Sequence, residues 1–297
     1  MAKTTGIQGL RREKQLLSVL FLIPIFLLLA IFILYSILYC FKTSLYNWNG
    51  LTQAKFIGLR NWSRLMGDNH FWLALGNNFK IVFISIFGEL PLGLALAYFL
   101  DSHSKGTRAY KLIWFLPILM STSAIGTLFG YFLNNYFGPI AGLLNLFGIQ
   151  MPSLLGNTET ALYTVCIAVV GHFVPFYMIY YLAGLSSIGE EIYEAAIIDG
   201  ATRRQYFFKC ALPIISPTIR NAIVLQLVGS LKTFDMIYVM TQGGPSGATE
   251  LMATYMYKQT FLSSKFGYGA AIASAMFIII TVCALTAVRL LNGKEEA

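Results

Sequence analysis

Six apolar runs limit what this chain can fold into: residues 16–38, 79–100, 112–133, 161–183, 219–240 and 269–291. Crossing the hydrocarbon core takes about 20 residues of helix, and each run is long enough. Within lipid the backbone must satisfy its own hydrogen bonds, so each run is expected as a helix. The strict alternation that a barrel requires is absent. Of the 297 residues, 57% are hydrophobic and 11% charged, against about 25% charged in an ordinary soluble domain. The expectation is an all-α polytopic membrane protein, one domain over 1–297, with no soluble domain and no strong internal repeat.

An even number of spans puts both ends on one side. Lys and Arg number 13 on the side that holds the ends and 6 on the other. Basic loops stay in the cytoplasm, so both termini and the 184–218 segment are expected there. The net charge of +8 comes from these flanking residues rather than from a clustered basic face, so a nucleic-acid partner is not expected. Membrane lipid is. The first run follows a basic start at Arg11, Arg12 and Lys14. It exceeds the 7–15 residues of a cleavable signal core, and no A-x-A site follows. It reads as a retained first span.

No catalytic or nucleotide-binding pattern occurs. G-x-x-x-x-G-K-[ST], H-E-x-x-H and G-x-S-x-G are all absent. Cys40, Cys166, Cys210 and Cys283 show no metal or CxxC spacing, and most lie in or beside apolar runs, as small hydrophobes do. His70, His103 and His172 are scattered. His172, inside the fourth run, reads as bonded to a neighbouring helix rather than to a metal. Catalytic residues, bound metal and a cofactor on this chain are therefore not expected.

Polar groups inside the runs are few. Glu89 stands two residues before Pro91. It either lines a route or caps backbone groups freed by the proline, and the structural reading is preferred. Lys232 and Asp235 are three apart and read as a mutual pair near the membrane edge. Gln226, Ser230 and Thr233 fall at i, i+4 and i+7, which makes one helical face polar over about two turns. Interhelical hydrogen bonding is the plain reading, and a lining for an uncharged, hydroxyl-rich substrate is the functional one. Gly126/Gly130 and the small residues at 269–275 read as close helix packing.

One charged stretch interrupts the apolar pattern. Residues 190–213 hold seven of the 34 charged residues. Ser187 and Glu190 stand at capping-box spacing and are expected to start a short helix, with Ile188, Ile192 and Ala195/Ala196 on its apolar face. Asp199-Gly200 is a turn pair that supplies a positive φ. Thr202 and Gln205 repeat the capping spacing, and a second short helix is expected up to Pro213. Such a helix–turn–helix along the membrane surface is either a solvated amphipathic loop or a docking surface. The small residues at its centre favour docking.

This stretch resembles the cytoplasmic signature of permease subunits from binding-protein-dependent ATP-binding-cassette importers. The matching positions are Glu194-Ala195-Ala196, Gly200 after three residues, and Leu212-Pro213. Asp199, the Gln205–Lys209 run and "FDMIYVMTQGGP" at Phe234–Pro245 resemble the sugar-importing branch. One departure is Cys210, where that family usually has isoleucine. The resemblance covers about residues 15–292 and implies a type I importer permease fold.

It further implies that 187–213 are coupling helices seated in a groove of a separate ATPase. Glu194 would accept hydrogen bonds or pair with a basic group there, and Gly200 would let the turn pack. The implied assembly has a second, non-identical permease, two ATPase subunits carrying the ATP and Mg, and an extracytoplasmic sugar-binding protein, in a bacterial plasma membrane. Similarity to sugar permeases points to Thr122, Phe173 and Phe176 as well as Gln226, Ser230 and Thr233 as the substrate path. Another polar solute such as glycerol phosphate, or a scaffold or sensor that moves no solute, are the other readings.

Overall fold

A computed structural model describes residues 20–101 and 107–292, mostly helical. They divide into two compact units, one of residues up to Gly67 with Gln259–Ala275, the other of Asp68–Lys258 with residues from Met276 onward.

The first unit begins with α1 (Leu20–Thr43), whose large side chains up to Tyr35 are exposed. An apolar helix bare all round suits lipid on every side. A two-residue hairpin, β1 (Tyr46–Asn47) and β2 (Lys55–Phe56), and the short helix α2 (Arg60–Met66) follow. Buried Asn61 holds them together, its Nδ2 donating to the carbonyls of Ser44 at 2.8 Å and Tyr46 at 2.9 Å. The Arg64 guanidinium lies 4.4 Å from the centre of the Tyr268 ring.

The second unit is built on α3 (Asn69–Leu100) packed along α7 (Ala161–Ser186). Close approach needs a residue without a side chain at the contact. Gly93 supplies it, since a Cβ there would stand 2.8 Å from Tyr177 Cβ and 3.1 Å from the Met178 nitrogen. Around this contact Leu90, Ala97, Met178, Tyr181 and Leu185 form one core cluster. Ile81, Ile125, Val165, Cys166 and Met236 belong to a second.

Two expected spans are not single helices. Run 112–133 is split between α4 (Thr107–Leu119) and α5 (Thr122–Phe132), which meet at 96°. Pro117 weakens the end of α4 by removing a donor. Ser121 then turns extended and caps α5, its Oγ accepting from Ala124 N at 3.2 Å. After the short α6 (Pro139–Leu146), α7 and α8 (Glu190–Ile198), α9 (Arg203–Ile214) meets α10 (Ser216–Leu231) at 67°, with Pro217 in the first turn of α10. Run 219–240 is also interrupted, because α10 stops at Leu231 and α11 begins at Asp235 (Asp235–Thr241). Lys232 and Asp235 therefore lie on either side of a break, where helical spacing no longer brings them together. Both are exposed and make no ion pair with each other. The remaining elements are α12 (Met252–Tyr257) and α13 (Phe266–Asn292), which passes through both units.

Candidate functional site

A cavity of about 240 Å³ opens between α7 and α10. Phe173 and Phe176, with Val169 and Tyr177, come from α7; Gln226 and Ser230, with Leu225 and Gly229, come from α10, and Thr233 from the break that follows. Five of the six residues expected along a substrate path thus line one cavity. Gln226 and Ser230 are buried, and the Gln226 Nε2 donates to Ser230 Oγ at 2.9 Å. Thr233 Oγ1 donates back to the Gly229 carbonyl at 3.3 Å. Gly229 keeps the space open, since a Cβ there would meet nothing within 4 Å. The Phe176 ring is stacked with Tyr180 at 6.4 Å and edge-on to Tyr177 at 5.1 Å.

Thr122 does not line this cavity. It opens α5, beyond the 96° bend, so its position along a straight span was misleading. Tyr177 was missed, although it lies four residues after Phe173 and so on the same helical face. His172 packs edge-on against Phe173 at 4.7 Å, and its buried Nδ1 has no hydrogen-bond partner. The expected bond to a neighbouring helix is not made by that nitrogen.

The break after α10 exposes carbonyls that helix geometry would have satisfied. Fully buried Asn78 answers one, donating from Nδ2 to the Leu231 carbonyl at 3.3 Å while its Oδ1 accepts from Met252 N at 2.9 Å. Asn77 donates to the carbonyls of Ala248 at 3.0 Å and Glu250 at 3.1 Å. These two asparagines of α3 hold both the broken helix and the loop beyond α11. Within that loop Thr249 Oγ1 donates to the Gly244 carbonyl at 2.7 Å. Glu250 accepts from Thr254 Oγ1 at 2.6 Å and pairs with Lys258. A larger cavity, about 620 Å³, is lined by Gly126, Gly130, Asn134, Asn135, Thr241 and Pro245 among others.

The charged stretch forms a helix–turn–helix. Gly189, not Ser187, caps α8; Ser187 instead ends α7, its Oγ donating to the Gly184 carbonyl at 2.7 Å. The serine satisfies a C-terminal carbonyl of the long helix and is not available to the short one. Ile188, Tyr193 and Ala196 pack on the core, whereas Ile192 and Ala195 are exposed, so the inward face is rotated from the expected stripe. Gly200 has φ +80°, with Gly200 N donating to Ile197 O at 3.0 Å and Ala201 N to Ala196 O at 2.9 Å. This pair of bonds is a Schellman ending, which favours glycine because only a left-handed residue closes it.

Thr202 and Gln205 make the expected reciprocal cap. Arg203 of α9 reaches back to the Tyr98 carbonyl at 3.0 Å, and Tyr206 and Phe207 are buried in the core formed with α3 and α7. Cys210 packs half-buried on the same core, so its sulfur occupies an apolar place. The outer surface carries Glu194, Ala195, Asp199, Gly200 and Pro213, with Ala196 and Leu212 half-buried beneath. Ile198, on that surface, is 85% exposed. A rigid turn bolted to the bundle thus presents an apolar and acidic patch.

The chain is 30% identical over 284 residues to a permease protein of the sulfoquinovosyl glycerol transport system of Agrobacterium fabrum, covering 95% of this chain and 92% of the other. It is 30% identical over 272 residues to a trehalose/maltose transport system permease protein of Thermococcus litoralis, covering 91% and 92%. The fold matches a chain of a bacterial ABC transporter involved in import of the acidic polysaccharide alginate, with a TM-score of 0.79 at 23% identity over 96% of this chain and 97% of that one. Residues 89–295 match the family described as binding-protein-dependent transport system inner membrane component. With more than two thirds of its length inside that match, the chain belongs to this family of transport-system membrane components.

Proposed function

We propose that the chain is one of two membrane subunits of an ATP-driven importer for an uncharged sugar or oligosaccharide. The cavity between α7 and α10 carries this reading. It offers an amide, three hydroxyl-bearing side chains and aromatic rings, with no charged side chain in its lining. Aromatic rings cover the apolar face of a sugar while amides and hydroxyls bond its edges. A relative named for trehalose/maltose transport supports a neutral sugar as the class of solute. Glycerol phosphate fits less well, because its phosphate needs a cation and Lys232 is outside the lining.

Residues 187–213 are the coupling helices. Glu194, Ala195, Asp199 and Gly200 face a separate ATPase that binds ATP and Mg, and Leu212-Pro213 lead back to the membrane. Only Ile215, buried at the 67° bend, separates α9 from α10. Movement imposed on α8–α9 is therefore passed to the helix that carries Gln226 and Ser230. A second, non-identical permease completes the route, an extracytoplasmic binding protein delivers the sugar, and both termini are cytoplasmic.

The test is uptake of a labelled maltooligosaccharide series into proteoliposomes holding the assembled complex, with ATP inside. Uptake that requires both ATP and the binding protein is expected. Uptake of glycerol phosphate but of no sugar would reverse the assignment of solute, and uptake of neither would favour a scaffold.

A further inference from the structure

The cavity of about 620 Å³ is lined by α5 and the turn after it, by the chain just before α7, and by α11 with the loop that follows. Gly126 and Gly130 come from α5. Close helix packing, expected of both, describes Gly126, where a Cβ would stand 3.4 Å from Met236 Cα. A Cβ at Gly130 would meet nothing within 4 Å. That glycine faces the open space, not a helix.

The lining is polar without being charged. Gly138 closes the turn after α5, and a Cβ there would stand 2.4–2.8 Å from three backbone carbonyl oxygens. Within the turn Asn134 Oδ1 accepts from Tyr136 N at 2.9 Å and Phe137 N at 3.2 Å, so the donors of its Nδ2 remain for the cavity. Asn135, half-buried beside it, has no side-chain partner among the described residues. Thr127 Oγ1 donates to the Ser123 carbonyl at 2.9 Å, which leaves its oxygen to accept. Amide donors and a hydroxyl acceptor held around open space suit a neutral ligand rich in hydroxyls.

Size and position connect this space to the sugar site. The cavity between α7 and α10 holds about 240 Å³, below the range of about 300–1,000 Å³ in which pockets enclose a small molecule. It takes one end of an oligosaccharide and leaves the rest outside. Ser153, Leu155 and Gly156 of the larger cavity precede Ala161, where α7 begins, and Val169 of the smaller one lies eight residues after it. At about 1.5 Å per residue that is roughly 12 Å along α7, with the larger cavity at the end away from α8. Val169 and Phe173 of the smaller cavity and Leu155 and Met240 of the larger one belong to a single apolar cluster. The same packed group therefore borders both. Phe173 and Met240 are only half-buried in it, and they are the side chains that give way when a sugar chain crosses.

We propose that the larger cavity is a second sugar subsite on the extracytoplasmic side, holding the trailing units of an oligosaccharide whose leading unit occupies the cavity between α7 and α10. This rests on the smaller cavity being the sugar site. It makes chain length a property that this subunit selects.

The test is uptake of labelled maltose and maltopentaose into proteoliposomes by wild type, Asn135→Ala, Asn135→Gln and Gly130→Leu, at equal amounts of assembled complex. The binding protein is the same throughout, so its own preference for length cancels between variants. Asn135→Ala removes an amide that braces nothing in the fold. Gly130→Leu fills the space, and leucine is the better helix residue. The ratio of pentasaccharide to disaccharide uptake is expected to fall about fivefold in Asn135→Ala, the scale of one hydrogen bond, and at least about tenfold in Gly130→Leu. Asn135→Gln, which keeps the amide, should hold the ratio within about twofold of wild type. The inference is overturned if Gly130→Leu leaves the ratio unmoved, whether both sugars enter normally or fall together. It is equally overturned if wild type imports maltose but no longer sugar. Import of neither sugar by wild type would overturn the assignment of the smaller cavity first, and this inference with it.

Discussion

Replacing Gly200 with tryptophan separates folding from coupling. The turn residue has φ +80°, and a Cβ there would meet nothing within 4 Å. The chain itself therefore has room for a side chain, and under the proposed coupling role the packing of this turn is against the ATPase. The penalty inside this chain is the left-handed backbone alone, about 1–2 kcal/mol. At roughly 2–4 °C per kcal/mol for a chain of 150–250 residues, thermal unfolding should fall by only a few degrees. The indole instead protrudes beside Ile198, which is 85% exposed, where an ATPase would sit. ATP hydrolysis stimulated by loaded binding protein should drop by at least about tenfold, equivalent to about 1.4 kcal/mol of lost coupling, at normal membrane insertion. Gly200→Asn is the control, since asparagine tolerates this backbone, and it should retain most of the activity. Full stimulated hydrolysis by an assembled Gly200→Trp complex would refute the reasoning.

Three further outcomes follow from the packing. Gly93→Ala should lower the unfolding temperature, because overpacking at Tyr177 costs about 1–3 kcal/mol; Gly130→Ala, with open space around it, should raise it through a helix gain of about 0.5–1 kcal/mol. A rise in both would contradict the α3–α7 contact. Asn78→Ala orphans the Leu231 carbonyl and the Met252 N–H, each worth about 1–3 kcal/mol, whereas Asn135→Ala should leave thermal unfolding almost unmoved; equal effects would remove the asparagine brace from the account. Gln226→Leu should cut sugar uptake at least about tenfold, the scale of a site's unpaired hydrogen bond, with wild-type uptake arguing for a role in helix packing alone.

Much of this was legible because it follows from local chemistry. Hydropathy alone marks where helices lie. The Gly200 turn and the Thr202–Gln205 cap are visible in a few residues, since each depends on neighbours three to five positions away. Gln226 and Ser230 were readable as a stripe because α10 is regular there. The two breaks were not, because apolar content is blind to bends. Thr122 was misplaced by one break, and Thr233 sits at the other, reaching the cavity from outside the helix. Asn77 and Asn78 were overlooked at the start of an apolar run, where asparagine looks like a polar border. Their partners are more than 150 positions away in the chain, and no local pattern announces such a contact. Ser187 shows the converse error: a correct capping spacing, with the hydroxyl already claimed by the preceding helix.

The most direct test is ATP hydrolysis by the reconstituted wild-type complex, measured with the binding protein empty and then loaded with each sugar of a defined series. The account predicts that hydrolysis rises with the loaded protein for at least one neutral sugar and that the same sugar accumulates in the vesicles. Hydrolysis indifferent to every sugar, with no accumulation, would contradict it and return Gln226, Ser230 and Thr233 to the role of helix packing.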